Sequence, residues 1–100
     1  MSYKCISIVE AEEIIKAGEA TILDVRDQAS FTNGSIPKSI NLTNENVGDV
    51  LAKSDKDKPV IIYCYHGNSS QNVANYFANN GFEQVYSVDG GYEVWKLSYL

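Results

Sequence analysis

An α/β fold, with a mainly parallel five-stranded sheet covered by helices on both faces in three layers, is predicted for this chain by three observations. Short apolar runs alternate with amphipathic ones from end to end. The connections between them are short. One hundred residues, 44% hydrophobic and 21% charged, suit a single domain, residues 1–100, that buries one core. Strands alternating with helices imply parallel neighbours, because a parallel pair needs a crossover and the crossovers cover the sheet.

The first strand is expected at Cys5-Ile6-Ser7-Ile8, with a helix from Ala11 to Ala17. In that strand Cys5 reads as a small core hydrophobe. Thr21 to Val25 and Ser39 to Leu42 form the second and third strands, followed by helices over Gln28 to Asn33 and Val47 to Lys53. Lys53 to Lys58 is a mixed-charge run, read as a solvated loop, and Pro59 opens the fourth strand, Val60 to Tyr63. A helix over about Ser70 to Asn80 presents Val73, Ala74, Tyr76 and Phe77 on one face. Val85 to Val88 and a helix around Tyr92 to Leu97 complete the chain. Gly18, Gly34 and Gly81 each follow a helical stretch where a left-handed cap is wanted. In an open α/β sheet the ligand site lies outside the carboxyl ends of the strands, which places Asp24, Cys64 and Asp89 at one edge.

Charge and cysteine count exclude several classes. A net charge of −5 with eight scattered Lys and Arg residues argues against nucleic acid as a partner. No apolar run approaches the roughly 18 residues of a membrane span, and the start Met1-Ser2-Tyr3-Lys4 has no signal-peptide pattern, so a cytoplasmic location is expected. Two cysteines without C-x-x-C spacing and one histidine are too few for a zinc site or a thioredoxin-like redox pair. A Cys5–Cys64 disulfide is the alternative that a reducing compartment argues against.

Cys64 carries the chemistry. It stands where the apolar strand ends and the small, polar stretch Tyr65-His66-Gly67-Asn68-Ser69-Ser70 begins, so its thiol is expected to be displayed rather than buried. The loop ends at a helix N-terminus whose free N–H groups point back toward the sulfur. Gly67 lets the chain curl tightly enough to aim them inward. A free cysteine is mostly protonated at neutral pH, and converging amides are the means of making it a nucleophile. A structural cysteine at a strand end, with Gly67 as a turn residue, is the bland alternative.

The flanking residues each have two readings. His66 lends charge or a hydrogen bond to an incoming anion, or is an exposed loop residue without catalytic consequence. Ser69 and Ser70 donate hydroxyls to sulfur or cap the following helix. By alternation Tyr63 packs against a helix, while Tyr65 lines the mouth of the site or stays exposed.

Phosphoryl or arsenate chemistry in such a loop needs an arginine to clamp a tetrahedral oxyanion. The sixth residue after Cys64 is Ser70, and no arginine follows Arg26. The loop is better matched to a single anionic sulfur, that is, to a persulfide Cys64–S–S⁻.

At these residues the chain resembles the rhodanese-like sulfurtransferases, and within them the single-domain thiosulfate sulfurtransferases of GlpE type. Asp24-Val25-Arg26-Asp27 with Phe31, Gly34, Ile36 and Pro37 resembles the family's first signature. Asp89-Gly90-Gly91-Tyr92-Glu93-Val94-Trp95 resembles its closing one, and the Cys64–Ser70 loop is the most specific piece. The resemblance implies a three-layer rhodanese fold and double displacement. Cys64 takes the outer sulfur of thiosulfate, releases sulfite, and passes the sulfur to cyanide, a small thiol or a thiol-bearing protein such as thioredoxin, without metal or organic cofactor. The amides of Tyr65, His66, Gly67, Asn68, Ser69 and Ser70 cradle the sulfur. Asp24 and Arg26 are architectural by the same resemblance, and Gly90, Gly91 and Trp95 serve packing. A noncatalytic persulfide carrier and a 3-mercaptopyruvate sulfurtransferase are the alternatives. Two departures stand out: Ser35 replaces a histidine frequent in relatives, and the loop lacks a cation. The charge that attracts thiosulfate must come from amides, His66, Arg26 or Lys38, so modest donor affinity is expected.

Overall fold

The structure, a computed structural model, describes residues 2–98; Met1, Tyr99 and Leu100, the ends of the expected domain, lie outside the described residues. The chain runs β1 (Lys4–Ile6), α1 (Ile8–Lys16), β2 (Thr21–Asp24), α2 (Gln28–Asn33), β3 (Ile40–Asn41), α3 (Val47–Lys53), β4 (Val60–Tyr63), α4 (Ser69–Ala78), β5 (Val85–Val88) and α5 (Gly91–Leu97). The five strands form one sheet in the order β1-β5-β4-β2-β3, and every pairing is parallel.

Strand periodicity builds two cores. Ile61 and Tyr63 of β4 face one side with Ile6, Ile22 and Trp95, while Val60 and Ile62 face the other with Leu23, Ala74 and Phe77. All four residues of β4 are buried, as expected for a central strand covered on both faces. Helix α4 buries Ser70, Ala74, Phe77 and Ala78, a stripe at helical spacing in which Phe77 alone contributes about 1.5–3 kcal/mol. Tyr76, expected on that face, is instead half-exposed, because at about 100° per residue it lies roughly two-fifths of a turn from the stripe's centre.

Three further expectations are corrected. Ser7 and Ile8 do not extend the first strand. The Ser7 hydroxyl accepts from the Glu10 N–H and the Glu10 carboxylate accepts from the Ser7 N–H, each at 3.1 Å, so a reciprocal cap starts α1 at Ile8. Cys5 is exposed rather than a core residue, since β1 is an edge strand whose alternation turns Ile6 inward and Cys5 out. Both cysteines are free. Gly18 and Gly81 take the positive φ expected after a helix, but Gly34 has φ 164, an extended backbone. What Gly34 supplies is room: a Cβ there would lie 2.7 Å from the Tyr92 hydroxyl.

From β2 the chain moves outward to β3, and from β4 it moves to β5 on the opposite side. The carboxyl ends of β2 and β4 are therefore the switch point, where the connections diverge and leave a crevice. Arg26 and Cys64 follow those two ends.

Candidate active site

The loop after β4 closes around the Cys64 sulfur. The N–H groups of Gly67 and Ser70 donate to Sγ at 3.2 and 3.3 Å. Gly67 has φ +93, and a Cβ at that position would lie 3.0 Å from the Gly90 nitrogen, so both handedness and space require glycine. The Cys64 thiol donates to the Ser70 hydroxyl at 3.4 Å, a contact that reverses when the thiol ionises. The expectation of a displayed thiol is corrected: Cys64 is 5% exposed, because the curled loop folds its own amides over the sulfur.

A second helix holds the loop from behind. Tyr92 N–H donates to the Cys64 carbonyl at 2.8 Å and Glu93 N–H to the Tyr65 carbonyl at 3.1 Å. The first turn of α5 thus spends its unpaired donors on the residues that launch the loop. Gly91 makes that approach feasible, since a Cβ there would lie 2.4 Å from the Cys64 oxygen.

Burial pushes the Cys64 thiol up, but the Ser70 hydroxyl and the amides of Ser70, Gly67 and His66 outweigh it, and the net shift is downward from 9.0. Ser69 and Ser70 do not cap α4. Asn68 occupies the cap position without a side-chain bond, and the Ser70 hydroxyl is engaged by the sulfur and by Ser87.

On the β2 side, Arg26 and Asp24 form a buried pair. The guanidinium donates to the carboxylate at 2.7 Å, with side-chain exposures of 3% and 0%, and to the Gly34 carbonyl at 2.6 Å. The Arg26 main-chain N–H donates to the same carboxylate at 2.8 Å. The cation also lies 4.1 Å from the centre of the Tyr92 ring. Its charge is matched locally, and it braces β2, the Gly34 turn and α5 together. Tyr63 is fully buried in this assembly: its hydroxyl accepts from the Ile36 N–H and contacts the Ser39 hydroxyl, both at 3.1 Å.

A cleft of about 310 Å³ opens over the sulfur, lined by Cys64, Tyr65, His66, Asn68 and Ser69 from the loop and by Val25, Arg26 and Asp27 opposite. The structure thus brings the sequence-derived loop residues together, with Gly67 and Ser70 behind the sulfur and the others at the mouth. Tyr65 lies at the mouth, 38% exposed, where its hydroxyl donates to Asp27 at 3.0 Å and meets the Ser30 hydroxyl. The Ser30 side chain and N–H, with Tyr65, hold the Asp27 carboxyl below its usual range. Lys38 does not line the cleft, so among the described residues Arg26, already paired, is the lysine or arginine that does. A larger groove of about 480 Å³ between α3 and α4 shares Val25 with the cleft but has no cysteine in its lining.

Sequence reasoning did not find Ser87, Gln71 or Tyr3. Ser87 is buried on β5 and bonded to Ser70 at 2.8 Å; a small polar residue in an otherwise apolar strand was the available signal. Gln71 donates to the Gly67 carbonyl at 2.8 Å and accepts from the Tyr3 hydroxyl at 3.0 Å, and neither residue carries a local pattern that marks it.

Comparison with known proteins agrees with this geometry. A model of the rhodanese-like domain matches residues 7–98. A thiosulfate sulfurtransferase GlpE of Pseudomonas savastanoi is 45% identical over 97 residues, covering 97% of this chain and 91% of the relative. One of Coxiella burnetii is 46% identical over 96 residues, covering 96% and 90%. The crystal structure of a rhodanese-related protein from Thermoplasma volcanium superposes with a TM-score of 0.79 at 31% identity, covering 96% of this chain and 93% of that one. Because the family match takes in β4, the Cys64 loop and both elements that grip it, the chain belongs to the rhodanese-like domain family.

Proposed function

We propose that this protein is a thiosulfate sulfurtransferase acting through a persulfide on Cys64. The thiolate attacks the outer sulfur of thiosulfate, the sulfur–sulfur bond of the donor breaks, and sulfite leaves with the electron pair. The outer sulfur of Cys64–S–S⁻ is then attacked by cyanide or a thiol, which carries it away and returns the thiolate. The observation that carries this reading is the pair of main-chain N–H groups, from Gly67 and Ser70, aimed at Sγ. They favour the anion before donor arrives, and no general base is needed.

The remaining loop residues have places in the same reading. Tyr65, His66, Asn68 and Ser69 line the mouth where thiosulfate enters, while Gly67 and Ser70 serve the attacked sulfur. With Arg26 neutralised by Asp24 and Asp27 held ionised beside the mouth, the dianion is gathered by amide dipoles rather than by net positive charge. Modest donor affinity follows. We further propose that residues 1–100 act as one domain, that the protein works in the cytoplasm, and that its acceptor is a small thiol or a thiol-bearing protein of thioredoxin type. Among the described residues no helix is long and apolar enough to cross a membrane.

Intact mass spectrometry tests the reading. Incubation with thiosulfate is expected to add one sulfur that cyanide removes as thiocyanate, and Cys64→Ser is expected to gain none. A wild-type chain that stays unloaded, or a Cys64→Ser variant that still turns over, refutes it. A chain that loads once without steady-state turnover is a carrier instead.

A further inference from the structure

Gln71 sits in the first turn of α4, directly behind the loop, and joins two parts of the chain far apart in sequence. Its Nε2 donates to the Gly67 carbonyl at 2.8 Å. Its Oε1 accepts from the Tyr3 hydroxyl at 3.0 Å. Tyr3 precedes the edge strand β1, so a residue at the start of the sheet reaches the active-site loop through one side-chain amide. The Tyr3 bond fixes the rotation of that amide: with Oε1 committed to a donor, Nε2 faces the Gly67 carbonyl.

What this does follows from peptide geometry. The described residues contain no cis peptide, and in a trans peptide the carbonyl of one residue and the N–H of the next point in opposite directions. Drawing the Gly67 carbonyl toward Gln71 turns the Asn68 N–H away from it. Asn68 lines the open cleft, and among the described residues its N–H has no protein acceptor. The amides already acting on Sγ belong to other peptide units, those ending at His66, Gly67 and Ser70. The resting sulfur and the incoming sulfur are thus served by different amides. Gly67 has no side chain to restrain its ψ and already sits at φ +93, so the following peptide unit needs an outside hold to keep one orientation.

We propose that Gln71, oriented by Tyr3, is a positioning residue that aims the Asn68 N–H at the outer sulfur of the bound donor and of the persulfide. The proposal rests on the sulfurtransferase reading above. Its signature is a separation of two rates: loading of Cys64 by thiosulfate depends on Gln71, while alkylation of the resting thiol does not.

The test uses the full chain with Gln71→Met, which keeps length and helix preference and removes the amide, together with Tyr3→Phe and the double variant. Thiosulfate loading is followed by mass spectrometry and iodoacetamide alkylation of Cys64 by peptide mapping. Gln71→Met is expected to slow loading about five-fold, the effect of one hydrogen bond, with the alkylation rate unchanged. Tyr3→Phe is expected to slow loading less, and to add nothing once Gln71 is Met. Equal loading by wild type and Gln71→Met overturns the assignment, as does a parallel fall in both rates, which marks loop collapse instead. Additive effects of the two substitutions overturn the role given to Tyr3. Wild-type protein that alkylates normally but gains no sulfur from thiosulfate refutes the underlying function, and this role with it.

Discussion

The hydroxyl of Ser87, on the strand beside β4, lies 2.8 Å from that of Ser70, and both side chains are buried. Ser70 has one proton to give. When Ser87 donates to Ser70, that proton is left for the Cys64 thiolate, so Ser87 sets the direction of the Ser70 hydroxyl without touching sulfur. Ser70→Ala is expected to slow alkylation of Cys64 at neutral pH about ten-fold, and Ser87→Ala about three-fold, through loss of a hydrogen bond to an anion. The pH dependence of the iodoacetamide rate measures both; an unshifted profile in Ser70→Ala contradicts the relay.

The two cysteines are expected to reverse the order that exposure suggests. Cys64 is lowered despite burial, whereas desolvation and the Asp89 carboxylate raise the exposed Cys5. Near neutral pH a small alkylating reagent is expected to label Cys64 first, read by peptide mapping. Since the folded value of Cys64 lies below the unfolded one, its contribution to stability is complete above the unfolded thiol's titration and is lost as pH falls through the folded one. Cys64→Ala is expected to remove that part of the pH dependence of the urea midpoint.

Tyr63 titrates in the opposite sense. Burial pushes its phenol up from 10.0 to about 12. The folded value lies above the unfolded one, so the associated stability is present below about pH 10 and disappears as pH rises toward about 12. Tyrosinate absorbance is expected to show one tyrosine titrating with unfolding. Tyr63→Phe leaves the buried Ile36 N–H without its acceptor and is expected to cost about 1–3 kcal/mol, measured by urea denaturation.

Breaking the Asp24–Arg26 pair is expected to be costly from either side. Arg26→Met leaves a carboxylate that is 0% exposed without its cation, and losses of about 3–5 kcal/mol are the rule for one-sided removal. Asp24→Asn is expected to fall in the same direction by less, since the amide still accepts one bond. Denaturation midpoints check both, and wild-type stability in Arg26→Met overturns the bracing role.

Gly91 and Gly48 make a matched contrast. Gly91→Ala combines φ +59 with a Cβ only 2.4 Å from the Cys64 oxygen, and is expected to destabilise by at least about 2 kcal/mol and to disturb the loop. Gly48→Ala meets nothing within 4 Å inside α3, and is expected to stabilise by up to about 1 kcal/mol. Melting curves of the two variants check the opposite signs.

Much of this molecule is legible in one dimension. The all-buried run Val60-Ile61-Ile62-Tyr63 marks a central strand, because only a strand covered on both faces needs apolar residues at every position. Cys64 at its end, followed by a glycine and two serines, marks the loop, because chemistry at a sheet's carboxyl edge needs a nucleophile on a turn. Local rules failed where another segment had the deciding vote. Cys5 looked like core until β1 proved to be the edge; Tyr76 missed for a local reason, its angle on α4 away from the stripe that Ser70, Ala74, Phe77 and Ala78 share.

The sequence by itself determined the alternation of strands and helices, the nucleophile and the loop that cradles it, because these follow from periodicity and from neighbours close along the chain. Only the tertiary structure decided what sits behind the sulfur. Ser87 comes from β5, the donors on the Cys64 and Tyr65 carbonyls from α5, and the hold on Gly67 from Gln71 and Tyr3. Their contacts depend on strand order and helix placement, set by burial of the two cores, and a hydrogen bond spanning 68 residues, as between Tyr3 and Gln71, leaves no trace in local pattern.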